Sequence, residues 1–271
     1  MRRIDIQSLD HPELEPYRTL REHTRHWQGD HVVAEGEKTV RALLASQLDV
    51  LSVLLDEHWL GRLRDDLENP RFDNTDVYVA QEQLLEGIVG FNMHQNLMAI
   101  ARVPESAALE SMHTEAPGRH VHVALEGIAD AENMGMILRN CAAFGVRSLI
   151  VGSDSSNPWL RRSVRVSLGN VFGLRIHRCD DLHVTLQECR ERFGWKVVGT
   201  TPRGGSSVIE RDIGAESEHI CLLVGSEAYG LSEQAFDLCN ALFTIPMSGD
   251  VDSINVANAT AVALFEATRH E

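Results

Sequence analysis

The chain has 271 residues, of which 43% are hydrophobic and 24% charged, and its formal net charge is −15 at pH 7. The length suits one large domain or two ordinary ones, and the composition is that of a soluble globular protein. No apolar run reaches the roughly 18 residues of a membrane-spanning helix, the N-terminus lacks the apolar core of a signal peptide, and the acidic balance argues against a surface that binds nucleic acid throughout.

Residues 31–102 alternate strand and helix patterns. The segment HVVAEGEKTVRALLAS predicts a strand, a turn and an amphipathic helix, and VLSVLL, DVYVA and NLMAIARV are further short strands separated by helical spacing. We expect a small α/β domain over residues 1–104, with an N-terminal extension over residues 1–30. The next stretch, PESAALESMHTEAPGR, has prolines near both ends and no periodicity, and it predicts a linker over residues 105–119.

Residues 120–271 show a second alternation. Helical segments, the last of them over residues 254–269, separate the apolar strands HVHVALEG, RSLIVG, FGLRIHR, WKVVGTT, HICLLVGSE and ALFTIPM. Strands of this kind between helices indicate a parallel sheet with helices on both faces. The predicted fold class is therefore α/β, and ligands of such sheets bind at the carboxyl ends of the strands.

The spacing of the cysteines and the clustering of the arginines give information beyond the overall composition. Five cysteines include no CxxC pair, which favours a reduced cytoplasmic protein with buried thiols and no metal site. Six arginines and a single acid lie between Arg147 and Arg178, so this segment carries +5 and the rest of the chain −20. Arginine pairs bidentately with phosphate. Compositional bias can explain the general preference for arginine over lysine, but it does not explain the cluster.

Polar residues follow three of the predicted strands. The segment LEGIADAENMGMILRNC places Asn133, Gly135 and Arg139 after a strand and in the first turns of a helix. Asn133 is a candidate N-cap, Gly135 allows close backbone approach, and Arg139 has to reach water or an anion. A capped helix with a solvated arginine is the alternative that involves no ligand.

The other two polar turns are LLVGSEAYGLS and IPMSGDVDSINV. In the first, a glycine-rich turn after a buried strand can admit a nucleoside or hold a phosphate, although it has neither the Walker nor the GxGxxG pattern. In the second, Ser253 is a candidate N-cap, and Asp250 and Asp252 complement the helix dipole. Each turn alone also fits an ordinary strand-to-helix connection, but the three together in this order are specific.

These three segments resemble the sequence motifs of the SpoU/TrmH family of RNA 2′-O-ribose methyltransferases, within the SPOUT superfamily. The family patterns N-x-G-x-x-x-R, G-S-E-x-x-G-L and I-P-M-x-G-x-x-x-S-[LI]-N-V are complete in this sequence. The segment RRSVRVSLGNVF resembles the family's R-x-S-x-G loop. VAEGEKTVRALL with HQNLMAIA resembles the small substrate-binding domain of many members, which is related to ribosomal proteins that bind kinked RNA.

The resemblance implies a deep trefoil knot in the C-terminal domain of residues 120–271, a homodimer formed through this domain, and S-adenosylmethionine as the cofactor. It implies cofactor contacts, largely through backbone groups, from Thr200, Gly225, Ile245, Met247, Ser253 and Ile254. The family's catalytic or RNA-facing positions correspond to Asn133, Arg139, Glu227, Ser253 and Asn255.

Three residues depart from the common family pattern. Ala228 stands where many members have glycine, and Ala257 where many have serine, but both lie beside intact motifs. Asn96 replaces the glycine of the H-Q-G segment in the N-terminal domain, which leaves the detailed fit of RNA to that domain open.

Methyl transfer from an activated sulfonium requires mainly that a ribose hydroxyl is positioned in line and deprotonated. Arg139 is the family's candidate for activating this hydroxyl, but a guanidinium is a permanent hydrogen-bond donor. We therefore expect Arg139 to clamp the adjacent phosphate, with action as a base as the alternative. Backbone contacts to RNA are expected from Lys38, Arg161, Arg162 and Arg165.

The sequence thus predicts a cytoplasmic, S-adenosylmethionine-dependent methyltransferase that acts on a ribose 2′-hydroxyl of structured RNA. Ribosomal RNA is favoured because the small domain suits a folded target, with transfer RNA as the alternative. Two rival functions are those of a non-catalytic RNA-binding paralogue and of an unrelated nucleotide-binding enzyme such as a dehydrogenase. The complete set of catalytic residues argues against the paralogue, and the missing GxGxxG turn argues against the dehydrogenase.

Overall fold

A computed structural model describes residues 1–8, 10–18, 30–89, 95–114, 116, 118–202, 204, 206, 218–249 and 252–269. These residues form two compact units. The first unit comprises Met1–Pro104 and Trp159–Phe172, and the second comprises Glu105–Pro158 and Gly173–Glu271. The chain therefore contributes two separate segments to each unit.

The elements of the N-terminal segment are, in chain order, β1 (Arg2–Asp5), α1 (Glu15–Arg18), β2 (His31–Glu35), α2 (Glu37–Ala45), β3 (Val50–Leu55), α3 (Glu57–Arg62), α4 (Arg64–Leu67), β4 (Asp76–Val79), α5 (Glu82–Val89) and β5 (Leu97–Arg102). The elements that follow are β6 (His120–Leu125), α6 (Ala131–Ala143), β7 (Ser148–Gly152), α7 (Arg161–Val166), β8 (Arg175–Cys179), α8 (Leu182–Phe193), β9 (Lys196–Thr200), β10 (His219–Val224), α9 (Glu233–Leu238), β11 (Ala241–Phe243) and α10 (Val256–Thr268).

The first unit is built on a mixed sheet. Among the described residues this sheet has five strands in the order β1-β4-β3-β5-β2, with β1, β4 and β3 parallel and β5 antiparallel to both of its neighbours. Strand β1 lies inside the predicted N-terminal extension and was not expected. It pairs with β4, and the Arg2 guanidinium binds both carboxylate oxygens of Asp76 at 2.6 Å. The stretch offers only two apolar residues at strand spacing, Ile4 and Ile6, and this pattern is too short to predict a strand.

The second unit is built on a parallel sheet, as the continuous apolar strands predict. Its six described strands have the order β11-β9-β10-β6-β7-β8, and every pair is parallel. The central strand β10 is buried along its whole length. Since all carboxyl ends meet at one edge, the loops that leave β6, β9, β10 and β11 lie beside one another there.

The stretch predicted as a linker packs into the second unit over part of its length. Leu109 and Met112 are 7% and 1% exposed and belong to its hydrophobic core, with Trp195 and strands β6, β9 and β10. The backbone N–H of Ala107 also donates to the carbonyl of Ile176 at 2.9 Å. Two apolar residues three positions apart are too few to show periodicity, yet they are enough to fix a single turn against a core.

No helix in the described parts of the chain is both long and apolar enough to cross a membrane. All five cysteines are free thiols, and Cys141, Cys189 and Cys221 are buried. Burial raises the pKa of Cys141 to about 12, so this thiol stays protonated at neutral pH.

Two buried histidines stack at the amino ends of β6 and β10. The rings of His122 and His219 are 12° from parallel, and the side chains are joined through Nε2 and Nδ1 at 3.0 Å. His122 is 3% exposed, stacks on Trp195 with ring centroids 3.8 Å apart, and places Nδ1 2.6 Å from the hydroxyl of Ser148. Burial lowers the pKa of His122 to about 3. Nearby basic groups act in the same direction, namely His219, His120, Arg175 and His113.

We predict that acid destabilises the protein through His122. The unfolded chain binds a proton at this histidine below its ordinary pKa of about 6.5, whereas the folded protein binds it only near a pKa of about 3. The contribution to the free energy of unfolding is therefore complete above the first value and falls steadily as the pH drops towards the second, by about 1 kcal/mol between pH 7 and 5.5. Urea unfolding at both pH values should show that His122→Gln loses about 1 kcal/mol less than the wild type.

The exposed His31 provides the matched control. His31→Gln should lose as much stability on acidification as the wild type does. Identical losses for His122→Gln and the wild type would show that His122 does not contribute to the pH dependence.

Candidate functional site

A cavity of about 780 Å³ lies at the carboxyl edge of the parallel sheet in the second unit. Its walls are the segments that follow three neighbouring strands, β9, β10 and β11, together with the start of α10. These segments are far apart in the chain. They meet because parallel strands end at one edge and because β9, β10 and β11 are adjacent in the sheet.

The structure brings the predicted cofactor residues together at this cavity. All six line it, namely Thr200, Gly225, Ile245, Met247, Ser253 and Ile254. Four of the five residues predicted to be catalytic or to face RNA also line it, namely Asn133, Glu227, Asn255 and Ser253, the last of which was predicted in both roles. Their roles towards a ligand stay predictions. Asp250, which was expected to complement the dipole of the last helix, lies outside the described residues.

Asn255, Asn133 and Glu227 form a continuous chain of hydrogen bonds. The amide nitrogen of Asn255 donates to Oδ1 of Asn133 at 2.8 Å, and the amide nitrogen of Asn133 donates to Oε1 of Glu227 at 2.8 Å. Asn133 is only 7% exposed, so its polar atoms require such partners. The chain of bonds ties the first turn of α6 to the loop after β10 and to the start of α10.

The surroundings of Glu227 favour its charged form. Partial burial alone would raise its pKa, but the hydrogen bonds that the carboxylate accepts from Asn133 and from the backbone N–H of Ala129, at 3.3 Å, lower the pKa of Glu227 below its ordinary value. The group is therefore an anion at neutral pH. It can accept a hydrogen bond from a hydroxyl, but it holds a proton only in acid.

The helix caps differ from the sequence prediction. Asp130, and not Asn133, caps α6 by accepting the backbone N–H two residues further on at 2.9 Å. Asn255, and not Ser253, caps α10 in the same way at 2.9 Å. Both predictions were wrong because each helix entry offers several residues of the capping type, and the point at which the chain turns decides between them.

Arg139 lies apart from the cavity. Helix α6 begins at Ala131, so Arg139 is in its third turn and not in its first turns as predicted. At about 100° per residue it points roughly 120° away from Asn133 around the helix axis, and its side chain is exposed. Arg139 is not among the described residues that line the cavity. The helix dipole therefore contributes little to any anion that Arg139 binds.

Gly225 is required by the local backbone. A Cβ atom at this position would lie 2.5 Å from the carbonyl oxygen of Gly230 and 2.5 Å from the backbone nitrogen of Leu231. The loop folds back over Gly225 and is closed by two backbone hydrogen bonds between Ser226 and Gly230, at 3.0 and 2.9 Å. The glycine is thus explained by packing, and the closed loop forms one wall of the cavity.

The local structure accommodates each of the three residues that depart from the family pattern. Ala257 is fully buried in α10 and accepts a hydrogen bond through its carbonyl from Asn140 at 2.9 Å, while Ala228 is exposed in the loop after β10. Asn96 has a φ of +46°, a left-handed conformation that asparagine tolerates better than most residues. Its amide donates to Asp56 at 3.3 Å, so this turn of the first unit forms without a glycine.

The residues predicted to contact RNA belong to the first unit. Lys38 is exposed on α2. Arg161 instead forms an ion pair with Glu35, whose side chain is only 5% exposed, at 2.7 Å between Nη2 and Oε2. Nη1 of Arg165, on the same short helix as Arg162, lies 4.0 Å from this oxygen. Arg161 therefore holds α7 against β2, and a carboxylate already opposes its charge.

Two features of the site were missed. Tyr229 is 94% exposed in the loop after β10, and no pattern in the sequence marks its ring. Glu126 is 7% exposed and accepts hydrogen bonds from the backbone N–H and hydroxyl of Ser232, at 3.0 and 2.7 Å, with Nε2 of His183 at 2.8 Å. The position of Glu126 directly after a central parallel strand was the signal that could have identified it.

We predict that Asn255 has two separable contributions. Asn255→Ala removes both the cap of α10 and the bond to Asn133, and it should lower the free energy of unfolding by about 1–2 kcal/mol. Asn255→Asp keeps a capping oxygen but loses the donor to Asn133, so it should cost less than the alanine variant. Urea unfolding measures both, with Asn258→Ala, an exposed asparagine of the same helix, as a control that changes little. Equal losses for the alanine and aspartate variants would contradict the capping role.

The comparisons with known proteins concern both units. Residues 120–265 match the model of the SpoU rRNA Methylase family. A protein of Mycobacterium tuberculosis (strain H37Rv) named as a tRNA/rRNA methyltransferase is 33% identical over 275 residues, which cover 98% of this chain and 93% of that protein. The 23S rRNA (guanosine-2′-O-)-methyltransferase RlmB of Xylella fastidiosa (strain 9a5c) is 32% identical over 215 residues, which cover 77% of this chain and 84% of that protein.

A solved structure gives the same result for the fold. The crystal structure of AdoMet-bound rRNA methyltransferase from Sinorhizobium meliloti matches with a TM-score of 0.81 at 25% identity, over 98% of this chain and 97% of that one. The family match spans more than half of the chain and includes every segment that walls the cavity. This chain is therefore a member of the SpoU rRNA methylase family.

Proposed function

We propose that the protein transfers a methyl group from S-adenosylmethionine to a ribose 2′-hydroxyl in structured RNA. The observation that carries the proposal is the convergence of the three family segments on one cavity, whose wall includes an ionised carboxylate, Glu227, held by Asn133. The relatives described above are named for methylation of rRNA or tRNA, and the RlmB relative is named for the 2′-oxygen of guanosine.

The cavity fits S-adenosylmethionine as the methyl donor. Its volume of about 780 Å³ lies in the range of small-molecule sites, about 300–1,000 Å³. Leu231, Phe236 and Ile254 give it apolar walls suited to an adenine ring, and Thr200 and Ser253 add hydroxyls. The residues that would hold the cofactor are the six predicted ones. When bound, S-adenosylmethionine supplies a methyl group that its positive sulfur already activates.

Glu227 and Asn133 prepare the acceptor side. The Glu227 carboxylate is positioned to accept a hydrogen bond from the ribose hydroxyl, and Asn133 fixes the carboxylate's orientation. Because the pKa of Glu227 is lowered, the carboxylate is better suited to orienting the hydroxyl than to keeping its proton. Asn255 acts through Asn133, since it donates to the oxygen of that amide.

Arg139 has the role of a phosphate clamp in this proposal. Its exposed guanidinium can pair bidentately with a backbone phosphate of the bound RNA. This assignment rests on exposure and on the family motif, and it does not use the helix dipole.

The first unit is proposed to bind folded RNA, which favours ribosomal RNA over transfer RNA. Lys38, Arg162 and Arg165 are its candidates for phosphate contact. We further propose the trefoil knot in residues 120–271, for which the support is the resemblance of the three motif segments to the family. A cytoplasmic location is also proposed, and its support is the family's RNA substrates and the five free thiols.

A homodimer through the second unit is part of the proposal. Val262 and Phe265 lie three residues apart on one face of α10 and are 41% and 56% exposed. Large apolar side chains on the exposed face of a helix are typical of a surface that a second subunit covers.

Methyl transfer to RNA tests the proposed function. RNA from cells that lack the gene should take up label from methyl-labelled S-adenosylmethionine when the protein is added. Alkaline hydrolysis should then leave labelled dinucleotides, because a methylated 2′-oxygen prevents cleavage of the next bond. Label confined to ribosomal RNA would support that substrate, and label confined to transfer RNA would support transfer RNA instead.

Two variants separate chemistry from binding in this assay. Glu227→Gln and Arg139→Ala should each slow a single turnover by about tenfold or more, while calorimetry should find S-adenosylmethionine affinity near that of the wild type. Labelled bases in place of labelled riboses would contradict ribose methylation. A wild type without affinity for S-adenosylmethionine would favour the non-catalytic paralogue.

The arginines of α7 should differ in a predictable way. Arg162→Ala and Arg165→Ala should each weaken RNA binding and reduce the slope of log affinity against log salt by about 1. Arg161→Ala should instead lower the free energy of unfolding by about 1–3 kcal/mol, because it leaves the buried Glu35 without its closest cation. Unaltered salt slopes for Arg162→Ala and Arg165→Ala would assign both arginines to structure.

A further inference from the structure

A second cavity, of about 670 Å³, adjoins the first. The two share Asn133 and the loop of residues 226–231, which form a common wall between them. On its other side the second cavity is bounded by the segment after β6, including Gly127 and Ala129. Its described lining has four carboxylates and no arginine or lysine, so it suits the base and sugar of a nucleotide and leaves the phosphates outside; the carboxylates are those of Glu126, Asp130, Asp154 and Glu227. Two neighbouring hollows thus open at the carboxyl edge of the sheet, on either side of one loop.

Tyr229 stands in that common wall and is 94% exposed. Aromatic side chains normally bury most of their surface in a folded protein, so the ring of Tyr229, left almost wholly in water, offers a full aromatic face to a second molecule. The ring is attached to a fixed backbone, since the N–H of Tyr229 donates to the hydroxyl of Ser226 at 3.0 Å and two backbone bonds close the loop around it.

The proposed function requires two molecules side by side. The reacting atoms of donor and acceptor have to come within about 3–3.5 Å in line. If the first cavity holds the methyl donor, the acceptor ribose has to lie where the two cavities adjoin, beside Asn133 and the Glu227 carboxylate, which line both. The second cavity provides the space for the rest of the nucleoside.

We propose that the second cavity receives the target nucleotide of the RNA and that the ring of Tyr229 stacks on its base. This inference rests on the proposed function, because it places the acceptor relative to the donor. A nucleotide that reacts at its ribose has to leave its neighbours in the RNA, and an aromatic ring at the rim replaces the stacking that the base loses. Tyr229 is then a positioning residue, which holds the nucleotide so that its hydroxyl meets Glu227.

Stacking on an aromatic face accepts every base, so this contact contributes affinity and position more than sequence choice. Its usual magnitude corresponds to about 5- to 150-fold in affinity for one base. The competing explanation for an exposed aromatic ring is a contact between subunits, because Phe236 and Ile254 of the adjoining first cavity are also 39% and 38% exposed.

The test uses the full chain and RNA from cells that lack the gene, with methyl-labelled S-adenosylmethionine. Tyr229→Phe and Tyr229→Trp keep an aromatic face, whereas Tyr229→Leu keeps an apolar side chain without one. We expect the leucine variant to raise KM for RNA about tenfold or more, with kcat changed less and S-adenosylmethionine affinity unchanged. The phenylalanine and tryptophan variants should behave as the wild type. Val184→Ala, which alters another exposed apolar residue, on α8, should also match the wild type.

Each outcome has one meaning. A leucine variant with the KM of the wild type would overturn the stacking role while leaving the proposed function intact. A leucine variant that light scattering finds dissociated into monomers would overturn it in favour of a subunit contact. A wild type that methylates no RNA would remove the proposed function, and this inference with it.

Discussion

The second unit depends on one chain of hydrogen bonds, from Asn255 through Asn133 to Glu227. Its three members come from three segments that share no local connection, and each bond satisfies an atom of the buried amide of Asn133 between them. Removing Asn255 or Glu227 leaves a polar atom of Asn133, which is only 7% exposed, without its partner, and this costs more than the bond itself contributes. The bonds that fix α6 against α10 therefore also orient the carboxylate of Glu227.

This arrangement explains why the site consists of loops and is nevertheless held in place. The loop after β10 is closed on itself by two backbone hydrogen bonds, and Gly225 lets it come within contact of its own strand. Glu227 is oriented by Asn133 and by the N–H of Ala129 before any ligand arrives. A site in which donors and acceptors are already oriented needs little rearrangement when a reactant binds.

Much of this could be predicted from the sequence. Apolar runs identified the strands, because a parallel sheet buries both faces, and the motif segments were correctly placed at carboxyl ends, because the topology leaves no other position for them. The predictions that failed concern features set by the local geometry of single turns or of one short strand. The caps went to Asp130 and Asn255, Arg139 proved to be in the third turn of α6, and β1 is held by an ion pair with β4. The basic segment is divided between the units, which its charge alone could not show: Arg161, Arg162 and Arg165 belong to the first unit, and the other three arginines belong to the second.

The crossing of the chain between units has a consequence for biosynthesis. Glu35 is laid down early, but the arginine that neutralises it in the interior, Arg161, leaves the ribosome only after β6, α6 and β7 have been made. Until then Glu35 has only water as a partner, and α7 does not yet pack against the edge strand β2. A protein truncated after residue 104 would permanently lack both Arg161 and the helix α7 that packs against β2. Residues 1–104 therefore do not contain the whole of the first unit, and residues 105–271 carry a segment of the first unit within the sequence of the second.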